Sequence, residues 1–465
     1  MILLFKKINL VKHKDFGVGR VLSTRYGGQE ILVKFSDLSI PLWVRRSEIE
    51  VLTPSNEEIC TVGKKVFQYI KKKYGMYSCD KTINRDPLFR ARYILEALEV
   101  GAVPTIMVRD FTFGRKSELH KIIWWLFYGT NNTLLVVGNP GDGKTHFLEY
   151  LYSLLAEHGW AVSKVSVTSN EVSLYKPKTV YQEILLSLKY LKNHTNGNFK
   201  SLIFEIFKSE NPLKDKLKDH YYLKEILYRC DDELLEWLLG YRSLAGLPKL
   251  YEHATSANIY CYILSGLSWA IRNLLGLNGL VILFDEIEVG TAKNFVTTPY
   301  RLKMSINFLK GLILTANNDD RLLREDRIYD YEMGGFLGKL TGLRYCGERE
   351  SRFLPFLWRK PSNIKIILAL SPDTDVYKYL KTAIKNLEEL RLKLPEEQEL
   401  KLLFRKIYDL YRLVIGDITA DINTSLDVDS MFNSVMKEKP QNIRSFIQLS
   451  IKVLNEYYYG LNSPK

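Results

Sequence analysis

Leu134-Leu135-Val136-Val137-Gly138-Asn139-Pro140-Gly141-Asp142-Gly143-Lys144-Thr145, running on into His146-Phe147-Leu148, decides the fold of this chain. An apolar run breaks into a glycine-rich turn and resumes with helical periodicity, which predicts a buried strand, a tight loop and a helix. Gly138 and Gly143 let the backbone curl so that successive N–H groups face a polyphosphate, and the helix start adds its positive dipole end. The candidate nucleotide-binding residues are therefore Gly138, Asn139, Pro140, Gly141, Asp142, Gly143, Lys144, Thr145 and His146. Lys144 would reach the terminal phosphates, and Thr145 would ligate Mg²⁺ through its hydroxyl.

A second apolar run, Leu280-Val281-Ile282-Leu283-Phe284, ends abruptly in Asp285-Glu286. Such a run predicts a buried parallel strand that delivers charge at its C-terminal edge, where α/β sheets place their sites. Asp285 would hold Mg²⁺, and Glu286 would polarise the water that attacks the γ-phosphate. The paired carboxylates suit activation of water better than positioning of a second phosphate acceptor, which disfavours a nucleotide or polynucleotide kinase. No Asn-Lys-x-Asp guanine-reading motif appears, so ATP is the expected nucleotide. Glu288 lies beside the pair with no assigned role.

The 465 residues suggest two to four domains, and 66 basic against 53 acidic residues leave a net charge of +13. That surplus favours polyanionic partners, DNA foremost, through counterion release, although a generally basic surface would give the same balance. Five scattered cysteines suggest neither a disulfide framework nor a metal knuckle. Lys6-Lys7 follows the first apolar residues at once and no uncharged run could span a bilayer, so no membrane association and a reduced, cytoplasmic setting are expected.

Residues 1–53 read as short alternating strands separated by glycine turns, a small barrel or strongly bent sheet. His13, Phe16-Gly17, Gly19 and Val21-Leu22, followed by Val33-Lys34-Phe35, resemble the Tudor-like or SH3-like barrel carried by some bacterial DNA helicases and transcription regulators. The resemblance implies docking to a protein or nucleic acid, while His13 itself reads as a packed or turn-capping side chain. Thr53-Pro54-Ser55-Asn56-Glu57 reads as a linker ahead of a helix from Val62 to Tyr69 that ends in Lys71-Lys72-Lys73. A further helix runs from Asp86 to Val100. Residues 175–275 read as mostly helical, their aromatics assigned to a core, and residues 374–465 as a helical domain with helices over 374–392, from Pro395 to Val414, 427–436 and 440–459.

The stretch Arg92-Tyr93-Ile94-Leu95-Glu96-Ala97-Leu98-Glu99-Val100-Gly101-Ala102-Val103-Pro104, with Phe113-Gly114-Arg115 ahead of the phosphate loop, resembles the ATP-binding protein family of BREX-type bacterial anti-phage systems (BrxD-like), related to AAA+ ATPases of origin-recognition type. The resemblance implies an AAA+-type α/β core over 113–373 with a helical insertion at about 175–275, a helical linker over 54–112 and a C-terminal lid over 374–465. It implies adenine-side contacts for Gly114 and Arg115, a sensor-1 position at Ser371 after the strand Ile364 to Leu370, and a sensor-2 position at Arg444. Ser371 departs from the Asn or Thr usual at its position. Ring-forming ATPases add an arginine finger near Arg349 or Arg352, hence a possible homo-oligomer. The implied function is ATP hydrolysis coupled to loading, remodelling or sensing of DNA, or of protein on DNA. The rival is a nucleotide-state switch that docks a helicase or nuclease without touching DNA.

Overall fold

The computed structural model describes residues 10–25, 29–35, 42–51, 87–103, 105–168, 171–288, 299–331, 335–384, 387–415 and 424–460. The expected linker at Thr53 to Glu57, the helix from Val62 to Tyr69 and the basic run Lys71 to Lys73 lie outside the described residues. The chain divides into two compact units, residues 1–73 with 116–132, and residues 74–115 with 133–465.

In the first unit five antiparallel strands, β1 (Leu10–His13), β2 (Gly17–Arg25), β3 (Glu30–Phe35), β4 (Leu42–Arg45) and β5 (Ile49–Val51), pair in the order β4-β3-β2-β1-β5. A bulge between Val21 and Ser23 bends β2, the strand that makes the longest pairing. The sequence left a barrel or a bent sheet open; among the described residues β4 and β5 are the two edges of one sheet. Alternation puts Val11, Ile31, Val33, Phe35 and Val44 in its core. His13 is the turn-capping, packed side chain read from the sequence: its Nδ1 accepts from the Asp15 amide at 3.1 Å, and its ring stacks on Phe16 at 4.6 Å. The helix Lys116–Tyr128 also belongs to this unit, with Leu119, Ile122, Ile123, Trp125 and Leu126 buried.

The second unit is built on a seven-stranded sheet. Its strands are β6 (Thr133–Val137), β7 (Ala161–Ser166), β8 (Lys189–Lys192), β9 (Thr195–Asn198), β10 (Leu280–Asp285), β14 (Ile364–Leu370) and β15 (Glu388–Arg391); β11 (Arg327–Tyr329), β12 (Phe336–Gly338) and β13 (Arg344–Tyr345) form a small separate sheet. The order is β15-β6-β14-β10-β7-β8-β9, with β15, β6, β14, β10 and β7 parallel and the β8–β9 hairpin antiparallel. Every residue of β6 and β10 is buried, as a strand covered on both faces requires. Register aligns the C-terminal ends: Val137 pairs with Leu370 and Phe284 with Leu368, so Gly138, Ser371 and Asp285 emerge on one edge.

Six helices frame the site or its supporting cores: α1 (Pro87–Glu99), α2 (Lys144–Glu157), α3 (Ala257–Asn273), α4 (Glu397–Ile415), α5 (Thr424–Lys437) and α6 (Ile443–Gly460). All residues from Ala257 to Ile271 are buried, so α3 is enclosed by protein on every side, with Asn258, Ser265 and Ser268 among its buried polar residues. The fully buried Tyr181, Tyr190, Tyr222, Trp237 and Tyr260 agree with the core reading of the insertion's aromatics. The insertion is less helical than expected, because the β8–β9 hairpin extends the main sheet there. The expected helix over 374–392 also breaks. Asp375–Ala383 is helical, capped by Thr374, but Glu388–Arg391 forms β15 beside β6, with Leu390 buried in it and Leu387 and Leu392 buried at its two ends. A separate core joins α1 to α4, α5 and α6 through Ile94, Leu98, Phe404, Ile407, Phe432, Phe446 and Leu454. None of the described helices is long and apolar enough to cross a membrane.

Candidate functional site

A cavity of about 270 Å³ opens at the C-terminal edge of the large sheet, between the phosphate loop and the start of α6. Gly141 (φ 92°) and Gly143 (φ 86°) take left-handed backbone that L side chains resist, and this curls the loop. Gly143 is the N-cap of α2 and offers no side chain, so the amides of the helix's first turn are left for an anion. Pro140, Gly141, Gly143, Lys144, Thr145 and His146 line the cavity. Gly138, Asn139 and Asp142 close the turn behind it: the Asn139 amide donates to Asp142 Oδ2 at 2.6 Å, and the Asp142 amide to Asn139 O at 3.1 Å.

Lys144 Nζ donates to Gly138 O at 2.7 Å, Asn139 O at 3.2 Å and Ser371 Oγ at 3.3 Å. Asp285 and Glu286 face it from β10. Asp285 is buried, and burial holds its carboxyl above the ordinary range although the Thr145 hydroxyl, Lys164 and Lys144 pull the other way. Glu286 is raised by burial first, then by the charges of Asp285 and Glu288. It is one of few non-glycine residues in left-handed backbone, at φ 56°, a conformation that costs about 1 kcal/mol or more and clusters at functional sites. Its amide donates to Asp285 Oδ1 at 3.1 Å, which ties the pair together. A buried carboxylate with a raised pKa beside a hydroxyl is a hard-oxygen donor set short of positive charge. These residues fit Mg²⁺, which takes one or two protein oxygens and completes its shell with phosphate and water.

The far end of the cavity is apolar, lined by Leu98, Val103, Phe111, Phe113, Ile443 and Ile447. His146 sits there with burial and then Arg115 pushing its pKa down to about 4, so it is neutral, with Nε2 2.9 Å from Thr112 Oγ. Arg115 lines the cavity too, but its guanidinium is engaged with backbone: Nη1 donates to Lys393 O and Nη2 to Asp142 O, each at 2.7 Å. It clamps the phosphate loop to the segment after β15. Gly114 (φ 65°) lets the chain pass Pro395, where a Cβ would stand 2.6 Å from the proline's own Cβ.

The start of α6 meets the loop directly. Asn442 caps α6 by accepting from the Ser445 amide at 2.9 Å, its side-chain amide reaches Pro140 O at 3.4 Å, and the Arg444 amide donates to Gly141 O at 3.1 Å. Arg444 itself lines the cavity, close enough to lower the pKa of Glu286. Ser371 also lines it and donates to Glu288 Oε1 at 3.0 Å. The structure therefore gathers Lys144, Thr145, His146, Arg115, Asp285, Glu286, Ser371 and Arg444 around one space. Arg352 is not among the lining residues and stacks on Phe353 and Phe336, 4.6 and 5.5 Å from the ring centres. Two participants had no role in the sequence reading. Asn442 could have been flagged as a helix cap, but its contact with Pro140, 302 residues away, carries no local signal; Glu288 was visible only as a third carboxylate.

A glycine loop between a buried strand and a helix, on a mostly parallel sheet and facing an acidic strand end, defines a P-loop α/β protein. Residues 89–215, well under half the chain, match the family described as BREX system ATP-binding protein BrxC/D. The match takes in α1, the phosphate loop and the β8–β9 hairpin and ends before Asp285. No curated protein matches the chain.

Proposed function

We propose that this chain is an AAA+-type ATPase that acts in a BREX-type anti-phage system, where it acts on or senses DNA, or protein on DNA. The observation that carries the ATPase reading is the opposition, across one cavity, of Lys144 and Thr145 on the phosphate loop to Asp285 and Glu286 at the end of β10. The strand order supports the AAA+ reading, since β14 lies between the phosphate-loop strand and the acidic strand and brings Ser371 into line with both. The backbone amides of residues 143–146 and Lys144 would bind the phosphates, while Thr145 and Asp285 would hold Mg²⁺, which when bound neutralises charge on the β- and γ-oxygens. Glu286 would orient and deprotonate the attacking water. Arg444, carried on the lid, would report the γ-phosphate to α1, α4, α5 and α6, the bundle with which it shares a core.

DNA rests on the net charge of +13. A partner-docking switch is the second reading, favoured by the small sheet β11–β13. There Tyr331 is 90% exposed and Tyr329 and Ile328 are also exposed, an apolar and aromatic surface suited to protein more than to phosphate.

Steady-state hydrolysis by wild type, Lys144→Ala and Glu286→Gln, with and without single- and double-stranded DNA at two salt concentrations, tests both. Lys144→Ala should lose nucleotide binding, and Glu286→Gln should bind ATP but turn over at least about 100-fold more slowly. Stimulation by DNA that fades with salt supports the DNA reading; turnover indifferent to DNA supports the switch. Wild-type turnover in Glu286→Gln would sink the assignment of the base.

A further inference from the structure

We propose that Glu288 is a positioning residue for hydrolysis: by accepting the one hydrogen bond that the Ser371 hydroxyl can donate, it fixes that hydroxyl as an acceptor for the attacking water. The proposal rests on the ATPase reading and adds to it a residue and a direction of hydrogen bonding.

A serine hydroxyl has one proton and two lone pairs. In Ser371 the proton is committed, since Oγ donates to Glu288 Oε1 at 3.0 Å. The same oxygen accepts from Lys144 Nζ at 3.3 Å. All three protons of the Lys144 ammonium are engaged, and the bond to Ser371 is the longest of the three, so it is the one a γ-phosphate oxygen would replace at least cost. Ser371 would then keep its bond to Glu288 and turn a lone pair to the cavity, where Glu286 also lies. A water between Glu286 and Ser371 would donate one proton to each, which fixes its attacking lone pair toward phosphorus. In hydrolysis the water oxygen forms the new P–O bond, the bond to the ADP oxygen breaks, and Glu286 takes the departing proton. Ser371 and Glu288 exchange no proton with the reaction. Left without Glu288, the hydroxyl is free to rotate and donate to the phosphate instead, and the water loses one of its two acceptors.

The test is a set of variants on the full chain, read by kcat and KM for ATP and by Kd for a non-hydrolysable ATP analogue, with thermal melting as the check on folding. Glu288→Ala and Ser371→Ala should each lower kcat about tenfold and leave Kd within about twofold. The double variant should be no slower than the slower single, because the two act through one contact. Glu288→Gln, which keeps an acceptor oxygen, and Ser371→Thr, which keeps the hydroxyl, should both retain most of kcat. Unchanged kcat in Glu288→Ala, losses that multiply in the double variant, or a KM effect with kcat intact would each overturn the proposal. If the wild type itself shows no turnover, the ATPase reading fails and this proposal with it; active wild type with an unaffected Glu288→Ala defeats this proposal alone.

Discussion

At Gly141 two constraints meet in one residue. Its φ of 92° is open to glycine and closed to most L residues, and a Cβ there would stand 2.7 Å from Asn442, the cap of α6. Gly141→Ala should therefore strain the loop and push the start of α6 away at once. A loss of about 1–2 kcal/mol of stability and at least a tenfold weaker Kd for ATP are expected, checked by melting and by titration of a non-hydrolysable analogue. An effect on stability without one on Kd would mean that the contact with α6 and nucleotide binding are independent. Glu286 is the converse case. It keeps its left-handed backbone despite having a side chain, and its carboxyl is raised by burial and by two neighbouring carboxylates. Both features suit a base that must hold a proton briefly and return it.

Among the elements, α1 shows how distant segments combine. Leu98 sits in the core that α1 shares with α4, α5 and α6, is 4% exposed, and also lines the cavity. Leu98→Ala should cost about 2–4 kcal/mol in unfolding free energy, the usual range for a buried leucine, and weaken ATP binding as well. Urea unfolding and analogue titration on the same protein would check both; destabilisation with unchanged Kd would detach α1 from the site. The helices α4, α5 and α6 owe their positions to this apolar seam. Helix propensity alone would leave their order around the cavity undetermined.

Over the whole molecule, stability should fall on acidification through buried histidine. His220, in the insertion, is completely buried, with its pKa pushed down to about 3 mainly by that burial, offset by a hydrogen bond to Tyr262 O and deepened by Arg359. In the unfolded chain it titrates near 6.5, so between pH 6.5 and 3 the unfolded state binds the extra proton and is favoured. The stability present above pH 6.5 is lost as pH falls through that window, by an amount on the order of a few kcal/mol. His220→Gln should flatten this part of the pH–stability curve, measured by urea unfolding at stepped pH; an unchanged slope would assign the acid sensitivity elsewhere.

The sequence by itself determined the chemistry at the strand ends. Gly138 to Thr145 and Leu280 to Glu286 are contiguous, and a contiguous stretch carries its own strand, turn and helix signals. For the insertion's aromatics its helical spacing suggested a core but could not show exposure: Tyr181, Tyr190, Tyr222, Trp237 and Tyr260 are buried, whereas Phe204, Tyr228 and Tyr241 are exposed. It could not show that residues 375–392 split into a helix and β15, since four residues of edge strand carry too little periodicity to outweigh a helical neighbourhood. Tertiary structure alone decided that Arg115 reaches Lys393 and so clamps the phosphate loop, that Asn442 reaches Pro140, and that Ser371 donates its hydrogen bond to Glu288. These three pairs lie 278, 302 and 83 positions apart in the chain. Strand order and the packing of the C-terminal helices bring them together, and both are set by burial summed over the whole core, a quantity that no local stretch of sequence contains.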